Sequence, residues 1–263
     1  MDLGLQDKVA MVAASSKGLG KAAAMSLARE GARVSICARG EDELHATASE
    51  IREATGSDVL AVAVDVMDRA QIDRWVERTV AELGPPLIAV TNAGGPSPGN
   101  FFDLREEQWR TAFDLTLMSA VHLAYKTVPY MRQAGWGRVV TITSISVKMP
   151  LDNLMLSNAV RMAVIGFTKS LSNELAGEGI TVNSVLPGWT LTDRVQQLLQ
   201  ARSERDGISV EEAAAGITRN IPAGRMGRPE ELGDTVAFLA SERAGFINGA
   251  ALQVDGGNYK AVY

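Results

Sequence analysis

Short apolar runs that alternate with longer amphipathic stretches are the feature that most constrains the fold of this chain. Buried strands are predicted at Lys8–Ala14, Arg33–Cys37, Val59–Val64, Leu87–Thr91, Arg138–Thr143, Thr181–Leu186 and Ala250–Val254. Between them the sequence predicts helices at Lys21–Gly31, Asp42–Ala54, Arg69–Leu83, Glu106–Gln133, Asn153–Ala176 and Glu230–Ala240, with Pro129 expected to kink or interrupt the fourth. Strands that alternate with helices in this way form right-handed βαβ units. We therefore predict an α/β fold, a doubly wound parallel sheet of about seven strands flanked by helices, in a single domain over residues 1–263.

The charge balance and the rare residue types exclude several classes of function. The chain has 26 Lys and Arg against 31 Asp and Glu, a formal net charge of −5, which argues against a general binder of nucleic acid. The single cysteine, Cys37, excludes an intrachain disulfide, and two histidines exclude a multi-histidine zinc site, so we expect no metal. The first residues do not resemble a signal peptide, and no run approaches the ~20 apolar residues of a membrane span. We expect a soluble, cytoplasmic protein without a membrane partner.

The loop after the first predicted strand carries the pattern of a phosphate site. It contains Ser15, Ser16, Lys17, Gly18, Leu19 and Gly20 and runs directly into a helix. The first turn of a helix presents unpaired N–H groups to an anion. Gly18 would let phosphates approach the backbone, and Gly20 would let the helix pack closely on the sheet. We therefore predict that this loop binds the pyrophosphate of a dinucleotide; for so short a pattern, an ordinary tight turn is the alternative.

Further motifs, in the same order along the chain, resemble those of the short-chain dehydrogenase/reductase family. Asp65 ends the third strand, Asn92-Ala93-Gly94 follows the fourth, Pro187-Gly188 and Thr192 follow the sixth, and Asp255-Gly256-Gly257 follows the last. The family's glycine motif, T-G-x-x-x-G-x-G, is matched at Gly18 and Gly20, but Ala13-Ala14 replaces its Thr-Gly pair. The resemblance covers nearly the whole chain. It implies a Rossmann-type fold, with a nicotinamide dinucleotide bound by the phosphate loop and by Asp65, Val66, Asn92, Ala93, Gly94, Pro187, Gly188 and Thr192.

The end of the second strand indicates which nicotinamide nucleotide is preferred. Members of the family that prefer NAD place an acid here to bind the ribose hydroxyls, whereas this chain has Ala38 followed by Arg39. A guanidinium pairs with a 2′-phosphate that an acid would repel, and Lys17 is a second cation in the phosphate loop. We predict NADP(H) as the cofactor; the alternative is that Arg39 is only a solvated loop charge.

The catalytic pattern of the family is present only in part. The family uses Ser, Tyr and Lys, and its serine matches Ser144 at the end of the fifth strand. Ser157 stands where the Tyr is expected and Arg161 where the Lys is expected, a register fixed by the matching segment Val164–Leu171. Thr116 stands at the position of the family's asparagine. A serine hydroxyl is far less acidic than a phenol, and a protonated arginine cannot relay protons, although it can stabilise a developing oxyanion.

We name Ser144, Ser157, Arg161 and Lys148 as candidate catalytic residues. Ser144 and Ser157 would hydrogen-bond the substrate oxygen, and Arg161 would stabilise its charge. Lys148, four residues after Ser144, could donate the proton. The alternatives are structural: Lys148 would be a solvated loop lysine, and Ser144 a residue that closes a strand end.

These residues predict an NADP(H)-dependent oxidoreductase that acts on a small to medium carbonyl, imine or activated alkene through a non-standard acid site. One alternative is a catalytically silent nucleotide-binding member of the family that acts as a sensor or assembly partner, and another is an enzyme of a different reaction type. We expect a helical substrate lid near residues 190–220, with Trp189 lining the mouth of the site. Apolar residues on more than one face of the two longest helices predict a homo-oligomer, either a dimer or a homotetramer.

Overall fold

Seven parallel strands form the central sheet of the computed structural model, which describes residues 1–262. The strands are β1 (Val9–Val12), β2 (Arg33–Ala38), β3 (Val59–Ala63), β4 (Pro86–Thr91), β5 (Gly137–Ile142), β6 (Ile180–Pro187) and β7 (Ala251–Val254). Their spatial order is β3-β2-β1-β4-β5-β6-β7, and every neighbouring pair is parallel. The predicted doubly wound parallel sheet is confirmed. The strand order reverses direction between β1 and β4, and sheets of this kind bind ligands in the crevice at the carboxyl ends of their strands.

The helices cover both faces of the sheet. They are α1 (Gly18–Arg29), α2 (Glu41–Thr55), α3 (Arg69–Glu82), α4 (Glu106–Phe113), α5 (Ser119–Ala134), α6 (Met155–Leu175), α7 (Asp193–Asp206), α8 (Val210–Thr218) and α9 (Pro229–Leu239). On one face α1, α2 and α9 pack on the strands in a core that includes Leu27 and Leu232. On the other face α3, α5 and α6 form a second core that includes Trp75, Leu123 and Leu175. Among residues 1–262, none of the helices combines the length and apolar character needed to cross a bilayer.

The predicted interruption of the fourth helix at Pro129 is wrong. α5 continues through Pro129 to Ala134 and ends at Gly135, which takes a left-handed φ of 62°. The irregularity lies earlier, where a π-helical turn, Asp114–Met118, separates α4 from α5. The wider turn of a π-helix changes which side chains point inward. It places Thr116 in the interior, where that residue is only 7% exposed.

The segment after β6 folds into a small helical layer of its own. α7 and α8 pack around Val195, Leu199, Ala213 and Ile217, and this cluster is separate from the two cores of the sheet. Trp189 packs against the same cluster. The lid predicted near residues 190–220 corresponds to these two helices. That they open and close over a substrate remains a prediction.

Candidate active site

A cleft of about 730 Å³ runs along the carboxyl ends of the strands. Its walls come from the loops that follow β1 to β6 and from the start of α7. The predicted site residues that line it are Ser16, Lys17, Gly18, Leu19, Arg39, Asp65, Val66, Asn92, Ala93, Gly94, Ser144, Ser157, Arg161, Pro187, Gly188 and Thr192. Ser15, Gly20 and Lys148 lie outside the lining. The structure therefore brings most of the predicted residues together in one place, of a volume typical of small-molecule sites.

The loop between β1 and α1 has the backbone geometry of a phosphate cradle. Gly18 takes a left-handed φ of 56°, and a Cβ on Gly20 would clash with the carbonyl oxygen of Ala14. Lys17, the residue before the helix, makes no side-chain cap to its first turn. Gly18 and Leu19 line the cleft, so the uncapped N–H groups of that turn are open to an anion there. These residues fit the pyrophosphate of a dinucleotide.

The buried side chain of Ser15 stabilises the conformation of the phosphate loop. Its buried hydroxyl donates a hydrogen bond to the carbonyl oxygen of Val12 (2.7 Å) and accepts one from the N–H of Cys37 (3.2 Å). Asn92 Nδ2 donates to the carbonyl oxygen of Ala14 (3.1 Å) and so ties the loop after β4 to the phosphate loop. These contacts hold the cradle in shape without occupying the cleft.

The end of the cleft beside β2 carries the cations that were predicted to bind the phosphate of the cofactor. Arg39 is exposed on its wall and makes no hydrogen bond or ion pair with any residue of 1–262. Lys17 Nζ instead lies 3.4 Å from Glu43 Oε1 and 3.7 Å from Asp193 Oδ2. Glu43 also accepts a hydrogen bond from Ser16 Oγ (3.0 Å). Neither acid was predicted as a site residue, because acids are common in the first turn of a helix whether or not a ligand binds there.

Local hydrogen bonds and close backbone packing fix the loops in the middle of the cleft. Asp65 Oδ1 accepts the N–H of Met67 (3.0 Å) at the end of β3. Thr192 caps α7, since its Oγ1 accepts the N–H of Val195 (3.4 Å). Gly188 is so close to Asp255 that a Cβ on the glycine would lie 2.7 Å from the aspartate Cβ. The loops that the resemblance assigns to the cofactor are thus held in place by the protein itself.

Ser157 and Arg161 lie next to each other in the part of the cleft beside the end of β5. Arg161 is 8% exposed, and its Nε donates a hydrogen bond to Ser157 Oγ (3.2 Å). Its Nη1 donates to the carbonyl oxygens of Thr143 (2.9 Å) and Ile142 (3.4 Å) at the end of β5. Since a guanidinium only donates, Ser157 is the acceptor of this bond, and its own O–H remains available to a substrate oxygen. The pair can therefore present a hydroxyl donor and a fixed positive charge to the same atom.

Burial and the positive charge of Arg194 lower the pKa of Arg161 to about 10. The guanidinium is still protonated at neutral pH. It can stabilise negative charge there, but it does not act as an acid or base near neutrality.

Ser144 and Lys148 lie at the two ends of one short turn after β5. Ser144 Oγ accepts the N–H of Ser146 (3.1 Å) at the start of this turn, and the residue lines the cleft. Lys148 follows the turn, and its Nζ lies 5.5 Å from the ring centroid of Tyr259. The structure therefore brings Ser144 together with Ser157 and Arg161, but it does not bring Lys148 to them.

A small cavity of about 10 Å³ lies behind the guanidinium of Arg161. Thr116, Asn92 and Ser119 contribute polar atoms to its wall. Thr116 Oγ1 is buried and has no hydrogen-bond partner in residues 1–262. A space of this size is at the lower limit for a single water molecule, roughly 10–15 Å³.

Arg194 is a site residue that the sequence did not reveal. It lies in the first turn of α7 and lines the cleft together with Arg161 and Trp189, the last as predicted. Arg194 Nη2 donates a hydrogen bond to the carbonyl oxygen of Pro96 (3.0 Å) in the loop after β4. A Cβ on the neighbouring Gly95 would lie 3.1 Å from Arg194 Nε, so the glycine makes room for the guanidinium. In the sequence, the only feature that places Arg194 near the site is that it stands two residues after Thr192.

Comparison with known proteins identifies the family. Residues 13–258 match the family described as enoyl-(acyl carrier protein) reductase. The chain is 34% identical over 257 residues to the 3-oxoacyl-[acyl-carrier-protein] reductase FabG of Escherichia coli, an alignment that covers 98% of this chain and 99% of the relative. It is 34% identical over 267 residues to the uncharacterized oxidoreductase YvaG of Bacillus subtilis, with 100% of both chains covered. The structure of L-sorbose reductase from Gluconobacter frateurii, complexed with NADPH and L-sorbose, matches with a TM-score of 0.95 and 35% identity over 100% of both chains. The fold, the phosphate loop and these relatives together show that the chain belongs to the short-chain dehydrogenase/reductase family of oxidoreductases.

Proposed function

We propose that the protein is an NADP(H)-dependent oxidoreductase that reduces a small to medium carbonyl, imine or activated alkene through a non-standard acid site. The observation that carries the proposal is the hydrogen-bonded pair of Ser157 and Arg161, which lies in the same cleft as the phosphate cradle. The relatives support a carbonyl substrate, since FabG is named as a reductase of 3-oxoacyl groups and another relative as a reductase of L-sorbose.

Arg39 supports NADP(H) as the cofactor. Its guanidinium has no partner within residues 1–262 and can pair with a 2′-phosphate in a charge-assisted, bidentate contact. The residue before it, Ala38, offers no carboxylate to bind the ribose hydroxyls of NAD. L-sorbose reductase was solved with NADPH. When bound, the reduced nicotinamide would supply a hydride to the substrate carbon.

In this proposal the residues at the substrate end hold the oxygen that becomes negative. Ser144 and Ser157 donate hydrogen bonds to it, and Arg161 provides a fixed positive charge nearby. Because Thr143 and Ile142 anchor the guanidinium through their carbonyl oxygens, this charge is in place before the reaction begins. The protein thus stabilises an alkoxide rather than protonating it directly.

Solvent supplies the proton that completes the product. The pKa of Arg161, about 10, is too high for it to release a proton near neutral pH. A serine hydroxyl is a much weaker acid than a phenol, and Lys148 lies beside Tyr259, away from the cleft wall. The small cavity beside Thr116 and Arg161 is at the lower size limit for one water molecule, so the proton comes from the water in the open cleft.

A site of this kind favours acceptors that need little help from an acid. A conjugated alkene spreads its developing negative charge over several atoms. Hydride addition neutralises an iminium without any acid, although the positive charge of Arg161 opposes the binding of that cation. Both are therefore included with ketones and aldehydes in the proposed substrate class. The exchange of Tyr and Lys for Ser157 and Arg161 is the observation that favours them.

The first experiment separates cofactor binding from chemistry. NADPH binding is followed by the fluorescence of the nucleotide, and its oxidation is then followed in a single turnover with a panel of ketones, iminium ions and conjugated enones. We expect NADPH to bind and at least one acceptor class to be reduced. NADPH binding without turnover of any acceptor would instead support the catalytically silent alternative.

The second experiment tests the assigned role of Arg161. Arg161→Ala should lower the rate of turnover by ~10²–10³, as is typical when a preorganised charge donor is removed. NADPH affinity should stay close to that of the wild type, because the phosphate cradle is at the other end of the cleft. Lys169→Ala, an exposed position on the same helix, is the matched control. Unchanged turnover in Arg161→Ala would show that this arginine only supports the end of β5.

The double variant Ser157→Tyr with Arg161→Lys restores the family's usual pair. If the native chain turns over no acceptor and this variant reduces ketones, the native protein is a silent member of the family. If the native chain already reduces its acceptor, the variant tests whether a phenol broadens the range of ketones accepted.

A further inference from the structure

Two arginines from different elements contribute to the substrate end of the cleft. Arg161 comes from α6 and Arg194 from the first turn of α7, and both are part of the same wall. Arg161 is buried and Arg194 is partly buried. The two positive charges repel each other, and this repulsion contributes to the lowered pKa of Arg161.

All protein partners of these two arginines are neutral. Arg161 donates to Ser157 Oγ and to two backbone carbonyl oxygens, and Arg194 donates to the carbonyl oxygen of Pro96. Neither forms an ion pair within residues 1–262. Burial of a charge without a counterion is unfavourable, and two like charges in one cleft add to the penalty. The protein therefore maintains excess positive charge where the substrate binds.

The acids of the cleft do not offset this charge. Glu43 and Asp193 both lie against Lys17, and Asp65 accepts the N–H of Met67. Glu43 and Asp65 belong to the end of the cleft assigned to the cofactor. Asp193 is on α7, but its carboxylate lies near Lys17 at the same end. The guanidinium donors that make no hydrogen bond to the described chain, Arg161 Nη2 and the Nε and Nη1 of Arg194, remain for a ligand.

We propose that Arg194, beside the oxyanion site of Ser157 and Arg161, forms a subsite for the carboxylate of the substrate, so that the protein reduces small oxo acids. This inference rests on the proposed function and narrows its substrate class. Arg194 binds the carboxylate, while the oxo group lies against Ser157 and Arg161. A planar carboxylate accepts two parallel hydrogen bonds from a guanidinium, either from Nε and Nη2 or from Nη1 and Nη2. Nη2 of Arg194 has a second N–H besides the one that it donates to Pro96, so one of these two edges remains for the carboxylate.

Neighbouring residues fix the position of the Arg194 guanidinium. Gly95 leaves space for the guanidinium, and the carbonyl oxygen of Pro96 holds it by a single donor. Since Arg194 belongs to α7, a bound carboxylate would also connect this helix to the floor of the cleft. The competing explanation is that Arg194 only latches α7 to the loop after β4, or that it contacts the phosphates of the cofactor.

The test uses matched pairs of an acid and its neutral ester. The probes are 2-oxopentanoate and 4-oxopentanoate with their methyl esters. They are titrated calorimetrically into the NADP⁺-loaded protein, which has no hydride to transfer, and are then assayed with NADPH for kcat and KM. The variants are Arg194→Gln, Arg194→Lys and, as matched control, Arg205→Gln, which is on the same helix and pairs with Asp206. NADPH affinity is measured for every variant.

We expect at least one acid to bind the wild type about 10- to 100-fold more tightly than its ester, the range given by one charge-assisted contact. Arg194→Gln should remove this preference through KM and leave ester binding unchanged, Arg194→Lys should retain part of it, and Arg205→Gln should behave as the wild type.

The inference is overturned if acids and esters bind equally, if neither acid binds at millimolar concentration, or if the preference survives in Arg194→Gln. An equal loss of NADPH affinity in Arg194→Gln would also overturn it, by assigning the arginine to the cofactor. Acid-selective binding without turnover would refute the proposed reduction alone, whereas turnover of neutral ketones without acid preference would refute the carboxylate subsite alone.

Discussion

Arg161 determines how the catalytic end of the cleft responds to pH. Burial and the charge of Arg194 lower its pKa to about 10, so the guanidinium loses its proton as pH rises through that value. We expect the single-turnover rate to be nearly constant below this pH and to fall above it. Arg161→Lys should show the fall at lower pH, because the same burial lowers the pKa of an ammonium from its ordinary ~10.4. Rapid mixing with NADPH over a pH series measures both profiles, and a wild-type rate that falls near neutrality would assign the titrating group to another residue.

Arg39 and Lys17 are not equivalent as phosphate partners, although both were predicted from the sequence. Lys17 lies between Glu43 and Asp193, whereas Arg39 has no partner within the described chain. A 2′-phosphate would compete with two carboxylates for the lysine but with none for the arginine. Arg39 should therefore contribute most of the preference for NADP(H).

Arg39→Asp should reverse the cofactor preference. The exchange replaces a phosphate partner by a group that binds ribose hydroxyls and repels phosphate, so NADPH affinity should fall relative to NADH by about tenfold or more. Titration calorimetry with both nucleotides measures the ratio. Arg29→Asp, an equal change of charge at the exposed end of α1, should leave it unaltered. Equal affinities of the wild type for the two nucleotides would contradict the assignment.

At the scale of elements, the packing of α1 on the phosphate loop depends on Gly20. A Cβ there would clash with the carbonyl oxygen of Ala14 and would lie 2.9 Å from Asn92 Nδ2. Gly20→Ala should therefore displace the start of α1, lower the free energy of unfolding by about 1–3 kcal/mol and weaken NADPH binding. Thermal unfolding and nucleotide fluorescence measure the two effects. Gly177→Ala is the control, because a Cβ on Gly177 meets no atom within 4 Å and the residue lies outside the cleft. Equal behaviour of the two variants would show that the close approach is not required.

The strands and most helices could be predicted because the sheet is buried on both faces. β1 and most of β4 are continuous apolar runs, as is typical of parallel strands that are covered on both faces. β5 and β6 are also buried throughout, although they include Arg138, Asn183 and Ser184. The π-turn at Asp114–Met118 could not be predicted, since a single wide turn barely alters the apolar spacing of a long helix. α6 begins at Met155 rather than Asn153, because Asn153 takes a left-handed φ of 59° before the helix starts. The backbone conformation of a single residue does not change the hydrophobic periodicity, so the sequence pattern does not reveal it.

Site residues that directly follow strands were predictable, and so were Ser157 and Arg161 of α6, through the resemblance to the family. Site residues on α2 and α7 were not. Glu43 and Arg194 reach the cleft only because α2 and α7 pack beside it, a tertiary contact that sequence spacing does not report. Lys148 is near Ser144 in sequence, but the turn between them places its Nζ toward the ring of Tyr259. Ala14 shows a different limit. It holds a left-handed φ of 48°, where an L-residue loses about 1–2 kcal/mol, so the motif tolerates a residue that its backbone disfavours.

At the scale of the whole molecule, neighbouring helices expose large apolar side chains. Phe113 on α4, Tyr125 on α5 and Met162 on α6 are 44%, 73% and 50% exposed. α4 contacts α6, and the π-helical turn between α4 and α5 contacts all three helices. Other apolar residues of α6 are covered within the chain: Leu156 and Val160 are buried in a cluster with Ala112 and Trp109 of α4. The exposed apolar surface is therefore narrower than the sequence indicated, but each of these three helices still exposes a large apolar side chain.

We predict that the exposed apolar side chains of α4, α5 and α6 form an interface between copies of the chain, which is then a dimer or a homotetramer. Burial of exposed apolar surface is the driving force for such association, and a monomer would leave it in contact with water. Light scattering at micromolar concentration should give a mass two or four times that of one chain. Phe113→Glu with Tyr125→Glu should lower that mass, because a charge placed opposite its own copy is repelled and must be desolvated. Phe102→Glu changes a residue that is 94% exposed on a different segment and should leave the mass unchanged. A wild-type mass equal to one chain would contradict the prediction, and loss of mass in Phe102→Glu alone would place the interface elsewhere on the surface.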